Sequence, residues 1–268
     1  MKRLLLTSLL TPLAIWPTVA TAQEVPPPPE RPWSLANEYY DPGEMDEARK
    51  ELLHEGGAQS TFSYIGDRLE TQFDGKGNEV LLWDSDLWFG QALNKLYFKS
   101  EGEYSWGDNE IEDGEIQALY SRGISTFFDV QAGVRYDFEP GGRTHAVIGL
   151  QGFAPYMFEV DAALFLSSDG DLTARIEAEH EQMLTQRLII QPRVEVAFAA
   201  QNNAAFSEGE GLSSLDLGVR LRYEIDRKFA PYIGVEWQTA FGNTENFIKA
   251  DGGDSNKIVG LVGIRTWF

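Results

Sequence analysis

From residue 60 onwards, hydrophobic and polar residues alternate one by one along the chain. In residues 128–138 every second position is apolar, namely Phe128, Val130, Ala132, Val134, Tyr136 and Phe138. A period of two places successive side chains on opposite faces of a β-strand. The pattern therefore predicts strands with one apolar face and one polar face.

About twelve such runs follow one another, near residues 62–73, 79–89, 94–104, 113–123, 126–138, 143–154, 157–167, 171–182, 187–200, 212–225, 229–240 and 256–268. Strands of globular proteins usually have about 5 or 6 residues, whereas tilted membrane strands need about 9 to 11. Short connections such as 226–228 alternate with long ones such as 201–211 and 241–255, as in outer-membrane barrels. We predict an all-β fold: an antiparallel transmembrane β-barrel of about 12 strands, with a short, partly helical N-terminal segment.

Run 171–182 also fits a helix. Leu172, Ile176, His180 and Leu184 would share one helical face. Because the runs on both sides are strands, we predict a strand here too.

The N-terminus has the pattern of a secretory signal peptide. Lys2 and Arg3 precede the apolar stretch 4–19, and Ala20-Thr21-Ala22 matches a cleavage site. We predict a signal peptide over residues 1–22 and a mature start at Gln23. The alternative, an uncleaved membrane anchor, is disfavoured by Pro12 and Pro17, which interrupt a helix.

Residues 23–59 are predicted to form a Pro-rich periplasmic segment ahead of the barrel, which would occupy 60–268. Four prolines, 26–29, favour an extended backbone. Residues 44–55 favour a short helix that is capped by Asp41 or by the turn at 39–43, and that ends at Gly56-Gly57.

Composition narrows the possible functions. The chain has 42 acidic and 22 basic residues, a formal charge of -20, and no cysteine. Nucleic-acid binding is not expected, since it rests on clustered Lys and Arg, whereas cations are favoured partners. Cysteine-ligated zinc and thiol catalysis are excluded.

In a barrel the polar faces line the lumen, where both charge signs occur here. We expect these charges to pair across a mostly plugged lumen rather than to line an open pore. The chain ends in Trp267-Phe268, and a terminal aromatic residue is usual in outer-membrane barrels. Membrane-interface girdles are predicted at Tyr104, Tyr136, Phe138, Tyr223, Trp237 and Trp267.

The best candidate metal ligands are carboxylates that share one face of a strand. They are Glu101 with Glu103, Glu159 with Asp161, and Glu177 with Glu179 and Glu181. Carboxylates of this kind repel each other, and a bound cation relieves the repulsion. The alternative is neutralisation by the lumen cations Lys95, Lys99, Arg135, Arg175, Arg193, Arg220 and Arg222.

The alternation along its strand places His145 on the face predicted to line the lumen. If it lies beside Glu159 or Asp161, it would be a copper ligand. The alternative is a structural histidine. The alternation places His180 on the face predicted to contact lipid, where it would be the candidate base of a lipid-modifying hydrolase. No serine is spaced to meet it on its strand, so we predict no enzymatic activity.

Several stretches together resemble the copper resistance protein B family of bacterial outer-membrane proteins. They cover roughly residues 60–268 and include Trp83-Asp84, Trp88-Phe89-Gly90, Asn94-Lys95-Leu96, Lys99-Ser100-Glu101-Gly102-Glu103, 115–122, 129–137, 149–161, 184–193 and 229–237.

The resemblance implies an outer-membrane protein that binds or sequesters copper at the cell envelope, with a periplasmic copper oxidase as a partner. Typical members carry a Met- and His-rich segment before the barrel, whereas here that region has only Met45 and His54. The alternative function is a structural or transport barrel for small solutes or ions without a specific metal role.

Overall fold

The structure is a computed structural model that describes residues 36–37, 39–52, 54–55 and 60–268. The predicted signal peptide 1–22, the mature start at Gln23, the proline run 26–29 and Gly56-Gly57 lie outside the described residues. No helix among the described residues is both long and apolar enough to cross a membrane.

Helix α1 (Pro42–Leu52) belongs to a separate compact unit from the barrel. The predicted cap is confirmed, since Asp41 Oδ1 accepts hydrogen bonds from the backbone N–H groups of Gly43 (2.8 Å) and Glu44 (3.1 Å). The helix begins two residues before the predicted start, because Pro42 suits its first turn.

The barrel has twelve long strands and one strand of two residues. They are β1 (Thr61–Phe73), β2 (Glu79–Gly90), β3 (Asn94–Ser105), β4 (Glu110–Gly123), β5 (Phe128–Glu139), β6 (Arg143–Ala154), β7 (Phe158–Ser167), β8 (Leu172–His180), β9 (Gln182–Met183), β10 (Leu188–Ala199), β11 (Gly211–Tyr223), β12 (Phe229–Ala240) and β13 (Asn256–Trp267). The short β9 continues the line of β8 along β10. The predicted strand over 171–182 is confirmed.

Neighbouring strands pair antiparallel around the barrel, and β1 pairs with β13 to close it. The closing register places Ile65 opposite Trp267 and Phe73 opposite Gly260. The predicted closed antiparallel barrel of about 12 strands is confirmed.

The burial pattern is inverted relative to a water-soluble protein. Among the described residues, 22 buried residues are polar or charged and 11 are hydrophobic. On β5, Val134 is 53% exposed and faces outward, whereas Gln131 is 1% exposed and faces the lumen. Apolar side chains thus cover the outside, as a lipid environment requires.

The two ends of the barrel differ. At one end, which we call the turn end, the connections 91–93, 124–127, 155–157, 184–187 and 224–228 span three to five residues. Strand β1 starts and β13 finishes at this end. The opposite end, the loop end, carries the two longest connections, 200–210 and 241–255.

Helix α2 (Gly242–Ala250) lies in the longest connection, which the sequence predicted as a loop. The helix was missed because it has nine residues, starts at a glycine and has no side-chain cap at Phe241. Such a short segment shows no clear apolar repeat, and its one buried residue is Thr244.

One wall of the lumen is held by a fully buried ion-pair cluster. The guanidinium of Arg220 on β11 donates to Glu70 on β1 through Nε (3.0 Å) and Nη2 (2.9 Å), and to Glu236 on β12 through Nη2 (3.0 Å). The Tyr232 hydroxyl donates to the Glu70 carboxylate at 2.9 Å. Each of these four residues is at most 4% exposed. The charges therefore have little contact with water and are compensated by each other.

Candidate functional site

A chain of five charged side chains crosses the middle of the lumen, and we call it the belt: Arg68, Glu101, Arg175, Glu115 and Arg135. Arg68 Nη2 lies 2.7 Å from Glu101 Oε1, and Arg175 Nη1 lies 2.6 Å from Glu101 Oε2. Glu115 Oε2 is 2.8 Å from Arg175 Nη2 and 2.7 Å from Arg135 Nη1. Four strands lie between β3, which carries Glu101, and β8, which carries Arg175. The belt therefore joins opposite walls, and the predicted cross-pairing is confirmed.

Further side chains thicken the belt. Arg193 on β10 pairs with Glu177 and, at 2.5 Å, with Glu195. The guanidinium groups of Arg135 and Arg175 lie 4.7 and 5.7 Å from the ring centroid of Phe165, within cation–π range. Charged side chains and an aromatic ring thus meet across this level of the lumen.

Between the belt and the turn end lies a cavity of about 180 Å³. We call it the carboxylate cavity because nine acidic side chains line it against three basic ones, Lys99, Arg175 and Arg265. The nine are Asp67, Asp84, Asp86, Glu101, Glu115, Glu159, Asp161, Glu177 and Glu179.

Some of these carboxylates are neutralised and others are not. Asp67 is 2.6 Å from Arg265 Nε, and Asp161 pairs with Lys99. Within the described part of the chain, the side-chain carboxylates of Asp86 and Glu159 form no hydrogen bond or ion pair, although Asp86 lies opposite Lys99 in the register of β2 and β3. The cavity thus holds an excess of negative charge, and two of its carboxylates are not bonded to another side chain.

Five of the seven predicted metal ligands line this cavity, namely Glu101, Glu159, Asp161, Glu177 and Glu179. Most are also engaged with the protein. Glu101 is part of the belt, Glu177 pairs with Arg193, and Glu179 accepts a 2.6 Å hydrogen bond from Gln191 Nε2.

The other two predicted ligands, Glu103 and His145, lie elsewhere. Glu103 is two residues beyond Glu101 towards the loop end, opposite the exposed Asp113 on β4. His145 faces the lumen as predicted and is 2% exposed.

The interpretation that His145 lies near Glu159 or Asp161 is wrong. His145 pairs with Ser167 on β7, whereas Asp161 pairs with Gln151. Six residues of strand separate the two positions, about 20 Å at about 3.3 Å per residue. The nearest carboxylate to His145 Nδ1 is instead Asp137, at 3.5 Å.

Sequence reasoning missed three carboxylates of the cavity, Asp67, Asp84 and Asp86. The register of β1 against β2 and β13 shifts after Gly66, and this bulge lets Asp67 and Arg68 both reach the lumen. Strict alternation would place one of them in lipid, so a bulge hides the pair from a period-of-two search. Asp84 and Asp86 do share lumen parity, and that spacing was the available signal.

The side chains do not form a ready-made chelate. Among the described residues, no group of three or more His, Cys, Asp or Glu side chains is placed to hold a metal ion. The arrangement is a water-accessible cavity with an excess of acidic side chains, and such a charge distribution attracts cations.

Comparison with known proteins gives consistent results. The family described as "Copper resistance protein B precursor" matches residues 60–268. A copper resistance protein B homolog of Pseudomonas syringae pv. tomato is 39% identical over 217 residues, covering 81% of this chain and 72% of that protein. Copper resistance protein B of Escherichia coli is 41% identical over 203 residues, covering 75% and 68%.

Solved structures similar to this chain include two porins. The NanC porin has a TM-score of 0.48 at 12% identity and covers 77% of this chain and 99% of its own. The KdgM porin has a TM-score of 0.44 at 12% identity, with the same coverage.

Proposed function

The chain belongs to the copper resistance protein B family, and on that premise we propose that it supports copper resistance by binding copper ions in the carboxylate cavity of its outer-membrane β-barrel. The role is one of binding or sequestering at the cell envelope, not of catalysis.

The observation that carries the proposal is the charge imbalance of the cavity. Nine carboxylates and three cations line the cavity. Arg68, Arg135 and Arg193 pair with four of the nine from outside the lining, which leaves nine carboxylates against six cations. Among the described residues, the carboxylates of Asp86 and Glu159 form no hydrogen bond or ion pair. A cation that enters the cavity relieves this repulsion. Water reaches the site, since the side chain of Asp161 is 28% exposed.

The ligand chemistry favours the divalent ion. Oxygen donors are hard ligands, and among first-row divalent ions Cu²⁺ binds a given oxygen or nitrogen site most tightly. Cu⁺ prefers thioether and thiolate sulfur, and the residues that line the cavity include no methionine. We therefore expect Cu²⁺ to bind in the barrel, and more tightly than Zn²⁺.

The test is equilibrium binding of Cu²⁺, Cu⁺ and Zn²⁺ to the purified full-length protein, compared side by side. Saturable binding with a preference for Cu²⁺ supports the proposal. Absence of binding, or equally weak binding of all three ions, overturns it.

The alternative function, a transport barrel without a metal role, predicts ion conductance in planar bilayers that does not depend on copper. The belt opposes it, because charged pairs cross the lumen at its middle. A periplasmic copper oxidase as partner stays a prediction.

A further inference from the structure

The carboxylate cavity starts close to the turn end. Its lining includes Glu159, the second residue of β7, and Glu179, the second-last residue of β8. Both strand ends lie at the turn end. In outer-membrane barrels the short turns face the periplasm and the long loops face outward. The cavity accordingly belongs to the periplasmic half of the lumen.

Water reaches the carboxylates on the turn-end side of the belt. On the turn-end side, the side chains of Asp161, Glu177 and Asp84 are 28%, 25% and 23% exposed. On the loop-end side, the inward-facing Ser167 and Ala199 are 5% and 6% exposed, whereas Asp113 on β4 is exposed. Beyond the belt the lumen is therefore driest along β7 and β10.

A second barrier lies at the loop end. The connection 200–210, which we call the strap, reaches from β10 to Arg143 on β6. Arg143 Nη2 is 2.7 Å from Glu208 Oε1, and its guanidinium lies 3.8 Å from the ring centroid of Phe206. Asn203 Nδ2 donates to Asp171 in the β7–β8 connection at 2.6 Å.

The strap is tied down on its other side as well. The backbone N–H of Gly209 donates to Thr244 Oγ1 at 2.8 Å, and Asn243 Nδ2 donates to Asn202 Oδ1 at 2.9 Å. Thr244 and Asn243 belong to α2. Contacts at both edges hold the strap over the inward-facing Arg143.

From these placements we propose that the carboxylate cavity exchanges ions with the periplasm only, because the belt and then the strap close it towards the cell exterior. The inference rests on the proposed function for the identity of the ion, but the one-sided access does not depend on copper. The protein would then take its cation from the periplasm, and not from the medium.

Thiol labelling tests the access route, and the chain contains no cysteine of its own. Two matched variants, Ala163→Cys in the cavity and Ala199→Cys beyond the belt, are each reacted with N-ethylmaleimide in the full-length protein. We expect Ala163→Cys to react about tenfold faster or more, because a buried thiol must wait for local opening of the structure. Equal rates overturn the proposal.

Second substitutions identify the route. Glu208→Gln loosens the strap and should accelerate labelling of Ala199→Cys but leave Ala163→Cys unchanged. Ile65→Trp narrows the cavity near the turn end and should slow the labelling of Ala163→Cys only. If Glu208→Gln accelerates the labelling of Ala163→Cys, the cavity opens towards the loop end and the proposal is wrong.

The direction is tested separately, with an epitope tag inserted after Gly252 in the 241–255 connection. Detection on intact cells supports a loop end that faces outward. Detection only after permeabilisation places the cavity on the exterior side and overturns the proposal. Neither readout uses copper, so failure of copper binding leaves the access result intact, and the reverse also holds.

Discussion

Arg175 on β8 and Glu101 on β3 bridge the lumen, with Arg175 Nη1 2.6 Å from Glu101 Oε2. The same guanidinium holds Glu115 through Nη2 at 2.8 Å. One side chain thus ties two carboxylates of the opposite wall across the lumen.

Replacing Arg175 by Met should open the lumen at this point. The variant leaves Glu101 and Glu115 without their shared partner, and each lost charge-assisted hydrogen bond costs about 1.5–3 kcal/mol. We expect a higher single-channel conductance in planar bilayers than for the unaltered protein. Arg187→Met, in the exposed 184–187 turn, is the matched control; conductance that rises in both variants, or in neither, would show that the belt is not the barrier.

Copper binding should depend on the unpartnered carboxylates. The double variant Asp86→Asn, Glu159→Gln keeps shape but removes two charges, and we expect it to weaken Cu²⁺ binding by about tenfold or more, as loss of charged ligands does. Glu103→Gln, on the other side of the belt, serves as the control in the same titration. If Glu103→Gln weakens binding as much, long-range charge and not the cavity governs affinity.

The buried ion-pair cluster of Arg220, Glu70 and Glu236 should be critical for the stability of the barrel. Removing one partner of a buried ion pair costs about 3–5 kcal/mol, because the remaining charge stays buried. We therefore expect Arg220→Met to lower the free energy of unfolding by about that amount. Tyr232→Phe, which removes one hydrogen bond to Glu70, should cost about 1–3 kcal/mol.

Denaturant unfolding of the refolded barrel measures both effects. Arg227→Met, in the exposed 224–228 turn, should be close to neutral. An Arg220→Met barrel as stable as the Arg227→Met barrel would mean that Glu70 and Glu236 find other partners.

Gly102 should not tolerate a side chain. A Cβ atom there would lie 2.3 Å from the Trp83 ring, which covers this glycine on the outer face and donates to Ser100 Oγ at 3.2 Å. Displacing the ring by Gly102→Ala should cost about 1–3 kcal/mol, as overpacking does. Gly260→Ala is the matched control, since nothing lies within 4 Å of its added Cβ. Equal unfolding free energies for the two variants would contradict the close contact.

The sequence was informative about the fold because period-two alternation depends only on neighbouring residues. It predicted the number of long strands and most of their positions, including the ambiguous run at 171–182. The bulge after Gly66 and helix α2 were not predicted, because each depends on contacts between distant parts of the chain. A local alternation pattern carries no information about such contacts. The same alternation did place Glu159 and Asp161 in the lumen.

Distances within the site were harder to predict, because they depend on register. His145 and Asp161 share a lumen face, yet pairing with Ser167 and Gln151 sets them apart. The partners of Glu101 come from β1 and β8, and no spacing along β3 indicates them. Parity therefore gives the face of a residue, whereas strand pairing decides its neighbours.

The pairing of β1 with β13 also sets the order in which the molecule can be assembled. Strand β1 is synthesised first but pairs with β13, which is synthesised last. The barrel therefore cannot close until residues 256–267 have been exported. Until then β1 and β12 each present a free edge of backbone N–H and C=O groups, which lipid cannot satisfy. Export of the whole polypeptide must consequently precede its insertion, and a chain that lacks β13 could not close its barrel.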